Sequence, residues 1–350
     1  MFLARRDLAF AKGRFALMTV VVALICVLVG FLTGLAGGLA QRSVAAVVQV
    51  PADRVVLAKT GSTTTDSRVH ENQLKTWQSA DGVSGVTPLG VTQTRASKDG
   101  TGSAVAIFGS DVAATSLGAP ARGKVIISRT IADDLGLAAG DTMEIGSQKF
   151  AGSVSDDTWY CHSAVVAMGY ADWQATVARM GQPKAEPTAL LVHGEPDWKA
   201  VDKAAGTESA SPWKSVRMLP TFGPEIGSLA LIIGLLLGIS ALVVGAFFTV
   251  WTIQRQHDIG VLRALGATTQ ALRRDALGQA GVVLAIGIGA GLVLVTITGF
   301  AIRSTMPFAM TWWTVLGPGT LLGLLGLAGA AVAIRSLSRA EPEQALGSTR

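Results

Sequence analysis

The sequence is poor in charged residues. Asp, Glu, Lys and Arg make up 15% of its 350 residues, whereas hydrophobic residues make up 49%. Soluble domains carry about 25% charged residues, so this composition predicts a membrane protein. The net charge of +5 does not indicate binding to nucleic acid, because the Lys and Arg residues flank apolar runs and do not cluster on one face.

Cysteine and histidine are also scarce, which argues against a disulfide framework and a metal site. Cys26 lies in an apolar run and Cys161 in a polar segment, so we do not expect them to pair. None of the four histidines stands at the spacing of a zinc-binding pair. Cys161-His162 lacks the C-x-x-C-H spacing of covalent haem attachment, so we interpret both residues as ordinary parts of a folded domain.

Four apolar runs are long enough for membrane helices, which need about 20 residues each. We predict an α-helical membrane protein with four transmembrane helices and one α+β extracytoplasmic domain. The predicted segments are a cytoplasmic interfacial helix (1–14), a first span (15–40), the extracytoplasmic domain (41–224), a second span (225–253), a cytoplasmic coupling segment (254–278), a third span (279–302), an external turn (303–311), a fourth span (312–334) and a cytoplasmic tail (335–350).

The polar segment between the first two apolar runs has the size of one domain. Runs of β-branched residues and helical periodicity alternate along it. Strands are predicted at 83–94, 103–108, 124–127, 142–154, 164–168 and 188–193, and helices at 70–79, 129–137, 171–180 and 198–205.

The distribution of Lys and Arg predicts the orientation. The N-terminus, the loop after the second span and the C-terminal tail are all basic, and basic segments stay in the cytoplasm. Four spans put these three segments on one side, so the large domain is expected on the other.

A short amphipathic segment, Arg255 to Asp275, lies between the second and third apolar runs. Its apolar residues recur at helical spacing, and Asp258 can cap the helix start. Caught between two spans, its apolar face needs a partner, either the lipid surface or another protein.

Within this segment, the run Asp258 to Ala267 (DIGVLRALGA) resembles the cytoplasmic signature of the FtsX/MacB-type permeases of ABC transporters. The tail sequence Glu341 to Leu346 resembles the Pro-x-x-Ala-Leu ending of that family, and 124–150 resembles its extracytoplasmic core. The resemblance implies MacB-type architecture and a location in the bacterial cytoplasmic membrane. The residues expected to couple to an ATPase are Asp258, Ile259, Gly260, Leu262, Arg263, Ala264, Leu265 and Gly266.

The partners follow from the same resemblance. Family members pair two permease protomers with two copies of an ABC ATPase subunit in the lipid bilayer. This sequence contains no G-x-x-x-x-G-K-[ST] phosphate loop, so we expect a transporter subunit that is not itself an enzyme. It would need no intrinsic cofactor, and its partner would use the ATP.

A candidate substrate site is predicted at the outer ends of the spans, where an acid, sulfur atoms and aromatic rings share one predicted depth. Its members are Glu225, Phe222, Arg303, Met306, Met310 and Trp312. Glu225, Met306 or Met310 could ligate haem iron, and the resemblance extends to the family's haem exporter permeases. An ordinary interfacial belt of Met and aromatic residues explains the same pattern. Export of lipid, peptide or lipoprotein, and mechanical control of an external cell-wall hydrolase, remain alternatives.

Glycines recur four residues apart within all four apolar runs, a spacing that lets membrane helices approach closely. Such pairs serve either the packing of helices within one chain or a dimer interface. The pairs are Gly30/Gly34/Gly38, Gly234/Gly238, Gly287/Gly291 and Gly319/Gly323.

Overall fold

The fold is taken from a computed structural model of the chain. It describes residues 12–59, 67–113, 115, 117–138, 140–219, 222–254, 268–302 and 305–337. The chain divides into two compact units. The sheet domain comprises Leu39–Ile226, and the helical unit comprises Met1–Gly38 and Gly227–Arg350.

Short helices and strands alternate in the middle of the sequence, and long helices precede and follow this part. The helices are α1 (Lys12–Val48), α2 (Glu71–Gln78), α3 (Arg129–Leu135), α4 (Tyr170–Arg179), α5 (Trp198–Ala205), α6 (Pro212–Ser215), α7 (Phe222–Gln254), α8 (Thr269–Ile302) and α9 (Trp312–Leu337). The strands are β1 (Arg54–Ala58), β2 (Val83–Lys98), β3 (Thr101–Gly109), β4 (Lys124–Ser128), β5 (Thr142–Ile145), β6 (Gln148–Ser155), β7 (Trp159–Tyr160), β8 (Ser163–Met168), β9 (Ala189–Gly194) and β10 (Thr207–Ala210).

The strands form one mixed sheet in the order β10-β1-β9-β2-β3-β8-β4-β6-β5, with β7 paired to β8. The long antiparallel β2–β3 pair runs from Gly90 opposite Gly109 to Lys98 opposite Thr101. Parallel pairing joins β3 to β8 and β4 to β6. Parallel pairs need crossover connections, which explains why helices interrupt the strands along the chain.

Helix α4 packs against β2 and β3 through Trp173, which is 2% exposed. A Cβ at Gly90 or Gly109 would collide with its ring, so these two glycines leave the space that the indole fills. Trp173 also donates from Nε1 to Thr92 Oγ1 at 3.0 Å. A large buried side chain therefore fits against a bare strand surface, and its polar atom is paired.

The structure corrects the prediction of a single strand at 142–154. The turn Gly146–Ser147 divides it into β5 and β6, and both turn residues have positive φ, 55° and 63°. The strands β1, β7 and β10 were not predicted. Residues 54–58 and 207–210 pair with each other, and neither segment is long enough to show a clear period by itself.

Within the described residues, four helices are long and apolar enough to cross a membrane, with candidate spans at Phe15–Val48, Phe222–Trp251, Gln270–Ile302 and Trp312–Ile334. Helix α1 continues beyond the predicted span of 15–40, to Val48. Helix α8 begins at Thr269, inside the segment 254–278 that was predicted to couple to the ATPase.

Most of the glycine pairs serve close helix packing inside the helical unit. A Cβ at Gly287 or Gly291 of α8 would meet Val22 or Cys26 of α1. Gly319 of α9 lies in the same way against Leu292 of α8. The same holds for Gly30, Gly34 and Gly38 of α1, which lie against Val295, Phe308 and Pro307.

The pair Gly234/Gly238 of α7 differs from the others. A Cβ at either position would meet no atom of the described residues within 4 Å. Apolar residues of α7 three or four positions from these glycines, which puts them on the same face of the helix, are largely exposed, among them Leu231 at 64% and Leu242 at 72%. Gly234 and Gly238 therefore do not serve packing among the described residues of this chain.

Candidate functional site

Glu225 lies in the first turn of α7 and belongs to the sheet domain. Its side chain is 26% exposed, and its Oε2 lies 2.9 Å from Nε2 of His162. The two residues are 63 positions apart in the sequence. The acid that was predicted to stand at the start of a membrane helix is therefore paired with an imidazole.

His162 occupies the turn between β7 and β8. That turn consists of Cys161 and His162, both with positive φ, 44° and 65°. The imidazole Nε2 also lies 3.2 Å from Ser43 Oγ in α1. His162 was predicted to be an ordinary domain residue, and no sequence pattern connected it with Glu225. Spacing carried no signal, since the contact exists only in the folded chain.

Phe222, the first residue of α7, also belongs to the sheet domain. It packs against a buried cluster that includes Val216 and Leu219, and it is partly buried. Phe222, three residues before Glu225 in the sequence, therefore contributes to the hydrophobic core of the sheet domain.

Met306, Met310 and Trp312 belong to the helical unit. Met306 is 48% exposed and Trp312 61%. Trp312 stacks on Trp313, with ring centroids 3.5 Å apart. Met310 is partly buried, and its Sδ would be 2.7 Å from a Cβ at Gly299. Met306 and Met310 therefore differ in accessibility, which the sequence did not indicate.

Several predicted residues lie outside the described part of the chain. These are Arg303 and all of the predicted coupling residues from Asp258 to Gly266. Among the described residues, no group of three or more His, Cys, Asp or Glu side chains is arranged to hold a metal ion.

Gly140 and Asp141 lie between α3 and β5. Asp141 Oδ2 accepts from Lys98 Nζ at 2.6 Å and from the backbone N–H of Ala138 at 3.0 Å. The hydrogen bond from Lys98 is the main reason why the pKa of Asp141 lies below its ordinary value. The carboxylate is thus engaged in fixing the turn between α3 and β5.

Comparison with known proteins gives the chain a family context. Residues 230–342 match the model of the family described as FtsX-like permease C-terminal. A protein of Staphylococcus epidermidis is 23% identical over 360 residues, covering 99% of both chains. A protein of Staphylococcus haemolyticus is 23% identical over 375 residues, with the same coverage. Both carry the name hemin transport system permease protein HrtB.

Two solved structures resemble this chain over less than half of its length. The extracellular domain of the ABC-type transporter YknZ from Gram-positive bacteria covers 45% of this chain and 97% of its own, with 12% identity and a TM-score of 0.32. The periplasmic region of MacB from Actinobacillus actinomycetemcomitans covers 47% and 92%, with 10% identity and a TM-score of 0.34.

The family match covers most of α7 and all of α8 and α9, which are three of the four apolar helices. It also includes the segment whose sequence resembles the cytoplasmic signature. The chain is therefore a multi-pass membrane protein whose residues 230–342 match the FtsX-like permease family model.

Proposed function

We propose that this chain is the permease subunit of an ATP-driven ABC exporter and that it extrudes haem from the outer leaflet of the bacterial cytoplasmic membrane. One observation carries the proposal: the similarity to the HrtB-named relatives runs over 99% of both chains. It is therefore not confined to the permease domain at residues 230–342. The sheet domain is the extracytoplasmic part, in agreement with the basic cytoplasmic segments.

The proposed assembly contains two permease protomers and two ATPase subunits. The open side of Gly234 and Gly238 on α7 supports a second protomer, because small residues allow two membrane helices to pack closely. The ATPase subunits bind the coupling residues from Asp258 to Gly266. ATP is hydrolysed in those subunits, and this chain needs no cofactor of its own.

Glu225 is the proposed contact for the haem iron. A carboxylate oxygen is a suitable ligand for ferric iron, and a thioether sulfur is a known haem ligand. Met306 and Met310 are kept as separate candidates, of which Met306 is the more exposed. Arg303 is proposed to receive a propionate. Phe222 of the sheet domain and Trp312 of the helical unit are separate candidates for contact with the ring of the substrate.

Haem titration of the purified protein, followed by its Soret band, tests the substrate. We expect the native protein to bind, and Glu225→Ala to bind more weakly and to protect haem-stressed cells less well. Glu208→Ala is the matched control, since Glu208 is an exposed acid of β10. If the native protein binds no haem, the substrate is wrong and only the permease function survives.

The two methionines are tested in the same titration. Met306→Ala and Met310→Ala are compared with Met180→Ala, which removes a methionine that is 40% exposed in the sheet domain. A loss of affinity in one of the first two variants identifies a second contact. If both of them and Glu225→Ala bind haem normally, the site lies elsewhere.

Coupling is tested in the segment 254–278. Leu262→Asp or Leu265→Asp should uncouple the partner ATPase, because a charge would be forced into an apolar contact. Gln270→Asp, at an exposed position at the start of α8, is the control. Normal ATPase assembly and normal transport in the two leucine variants would show that the ATPase binds another segment.

Orientation is tested with a thiol reagent that does not cross the membrane. In a Cys161→Ser background, Asp156→Cys in whole cells should be labelled, since Asp156 is 96% exposed in the sheet domain. Gln270→Cys should react only after the membrane is opened. The reverse labelling pattern would overturn the proposed orientation.

A further inference from the structure

The turn between β7 and β8 has an unusual composition for its backbone. Two-residue hairpin turns with positive φ at both positions strongly favour sequences such as Asn-Gly. Here the positions are held by Cys161 and His162, with φ of 44° and 65°. Sparsely populated backbone conformations persist where the surrounding structure imposes them, and they concentrate at functional sites. The side chains of Cys161 and His162 are therefore candidates for a functional role.

The backbone of the turn is fastened to α1. The N–H of Cys161 donates to the carbonyl of Ser43 at 3.1 Å, and the N–H of His162 donates to the carbonyl of Arg42 at 3.2 Å. Trp159 lies two residues before Cys161, in β7. The Arg42 guanidinium lies 4.3 Å from the centroid of its ring, a distance typical of a cation–π contact. These contacts fix the position from which the imidazole projects.

From this fixed turn, the imidazole reaches the start of α7. Nε2 lies 2.9 Å from Glu225 Oε2 and 3.2 Å from Ser43 Oγ. An ionised carboxylate only accepts hydrogen bonds, so it is the tautomer protonated at Nε2 that donates to Glu225. Because hydrogen bonds to charged groups are the strong ones, this contact limits the rotamers that Glu225 adopts.

We propose that His162 is a positioning residue of the substrate site: its imidazole, fastened to α1 through the β7–β8 turn, holds the Glu225 carboxylate in place for the cationic centre of the ligand. The inference rests on the proposed function, in which that centre is ferric haem iron. It adds His162, and a link to Ser43 of α1, to the contacts of Glu225.

The test compares His162→Ala, His162→Gln and Ser43→Ala with the native protein. The side-chain nitrogen of Gln occupies nearly the place of Nε2 and can donate to Glu225, but it is a poor iron ligand. A positioning role therefore predicts that His162→Ala lowers haem affinity about tenfold and that His162→Gln restores it. The Soret maximum and the electron paramagnetic resonance spectrum of bound ferric haem should stay those of the native protein in His162→Gln.

His193→Ala is the matched control. His193 belongs to the same domain, and its Nδ1 lies 3.7 Å from Oδ2 of Asp53. The substitution therefore removes an imidazole that lies near a different acid. We expect native haem affinity in this variant. Ser43→Ala removes only one contact of the His162 side chain, and we expect a smaller loss of affinity than in His162→Ala.

Three results would overturn the inference. Native affinity in His162→Ala would show that Glu225 needs no positioning. If His162→Gln were as weak as His162→Ala and its spectra changed, His162 would itself be an iron ligand. Equal losses in His162→Ala and His193→Ala would indicate general damage to the domain.

A second measurement separates the inference from the proposed function. If the native protein binds no haem, the proposed function fails, and so does the part of the inference that concerns haem. The contact between His162 and Glu225 is then tested by thermal unfolding of His162→Ala, Glu225→Gln and the double variant in detergent. Non-additive shifts of the unfolding midpoint would support the positioning of Glu225 by His162, and additive shifts would overturn it.

Discussion

The sheet domain and the helical unit reach close packing in opposite ways. In the sheet domain, large side chains fill the interior: Trp77 is 0% exposed and Trp173 2%. In the helical unit, glycines bring helices into contact, as where Gly291 lies against Cys26. Water drives the burial of large apolar groups, whereas lipid offers no such gain and favours close helix contact. The two units should therefore respond oppositely to changes in side-chain size.

The largest expected effect is the loss of a large side chain from the sheet domain. Trp173→Ala leaves the bare surface at Gly90 and Gly109 unfilled and should lower the free energy of unfolding by about 3–5 kcal/mol. Chemical denaturation of the purified protein measures it. Trp213→Ala is the control, because Trp213 is 74% exposed. An equal loss in both variants would contradict the expected role of the buried indole.

The next effect is the gain of a side chain in the helical unit. Gly38→Ala would drive a methyl group into the carbonyl of Pro307, a backbone atom that cannot rotate away. We expect a loss of about 1–3 kcal/mol, seen as a lower thermal unfolding midpoint in detergent. Gly289→Ala, where a Cβ meets nothing within 4 Å in the described part of the chain, should be neutral or slightly stabilising because Ala favours a helix.

An effect of about the same size distinguishes buried hydroxyl groups in the two units. Ser67 Oγ accepts from the N–H of Ala58 at 3.0 Å and donates to the carbonyl of Thr188 at 2.7 Å. Ser67→Ala leaves that N–H buried and unpaired, at a cost of about 1–3 kcal/mol. Ser240 Oγ of α7 is buried and has no hydrogen-bond partner among the described residues.

Ser240→Ala should therefore not lower stability. Parallel thermal unfolding of the two serine variants checks this contrast between the units. A destabilisation by Ser240→Ala as large as that by Ser67→Ala would contradict it.

The smallest expected effect concerns pH. The pKa of Asp141 is lowered in the folded protein, chiefly by the hydrogen bond from Lys98. Its contribution is therefore complete above the pKa of the unfolded chain, about 3.9, and is lost as the pH falls through the folded value. The native protein should exceed Asp141→Asn in unfolding midpoint at pH 7, and the difference should vanish on acidification.

Glu71→Gln is the control for the acid titration. Its pair with Lys75 is exposed on α2, with side-chain exposures of 79% and 70%, and exposed pairs contribute little. A larger midpoint difference for Glu71→Gln than for Asp141→Asn would show that exposure does not decide the effect.

The local parts of this fold could be predicted from the sequence. Strands β3, β4, β8 and β9 and helix α5 lie where residue patterns predicted them, since each depends on its own residues. The strands β1 and β10 were missed because a short strand is recognised by its partner, and these two pair across about 150 residues. Polar residues in β10 (TESA) hid it further.

The candidate site shows the same limit. Glu225 stood out in the sequence because an acid at the start of an apolar run is costly in lipid. Its partner His162 did not, since the contact depends on how the β7–β8 turn is held against Arg42 and Ser43. A rule based on sequence spacing finds ligands on one helix or one loop. It cannot find a contact between two residues whose positions depend on three separate segments.

The turn at Cys161 and His162 also constrains how this sequence can drift. Left-handed backbone positions are relieved by glycine, so a Gly at either position would lower the backbone strain of the turn. Backbone strain alone would thus favour the loss of His162, whereas selection for export would retain it. In a mutated population grown with and without toxic haem, the share of members that keep His at this position would measure the selective value of one imidazole. Backbone strain and activity are expected to pull that share in opposite directions.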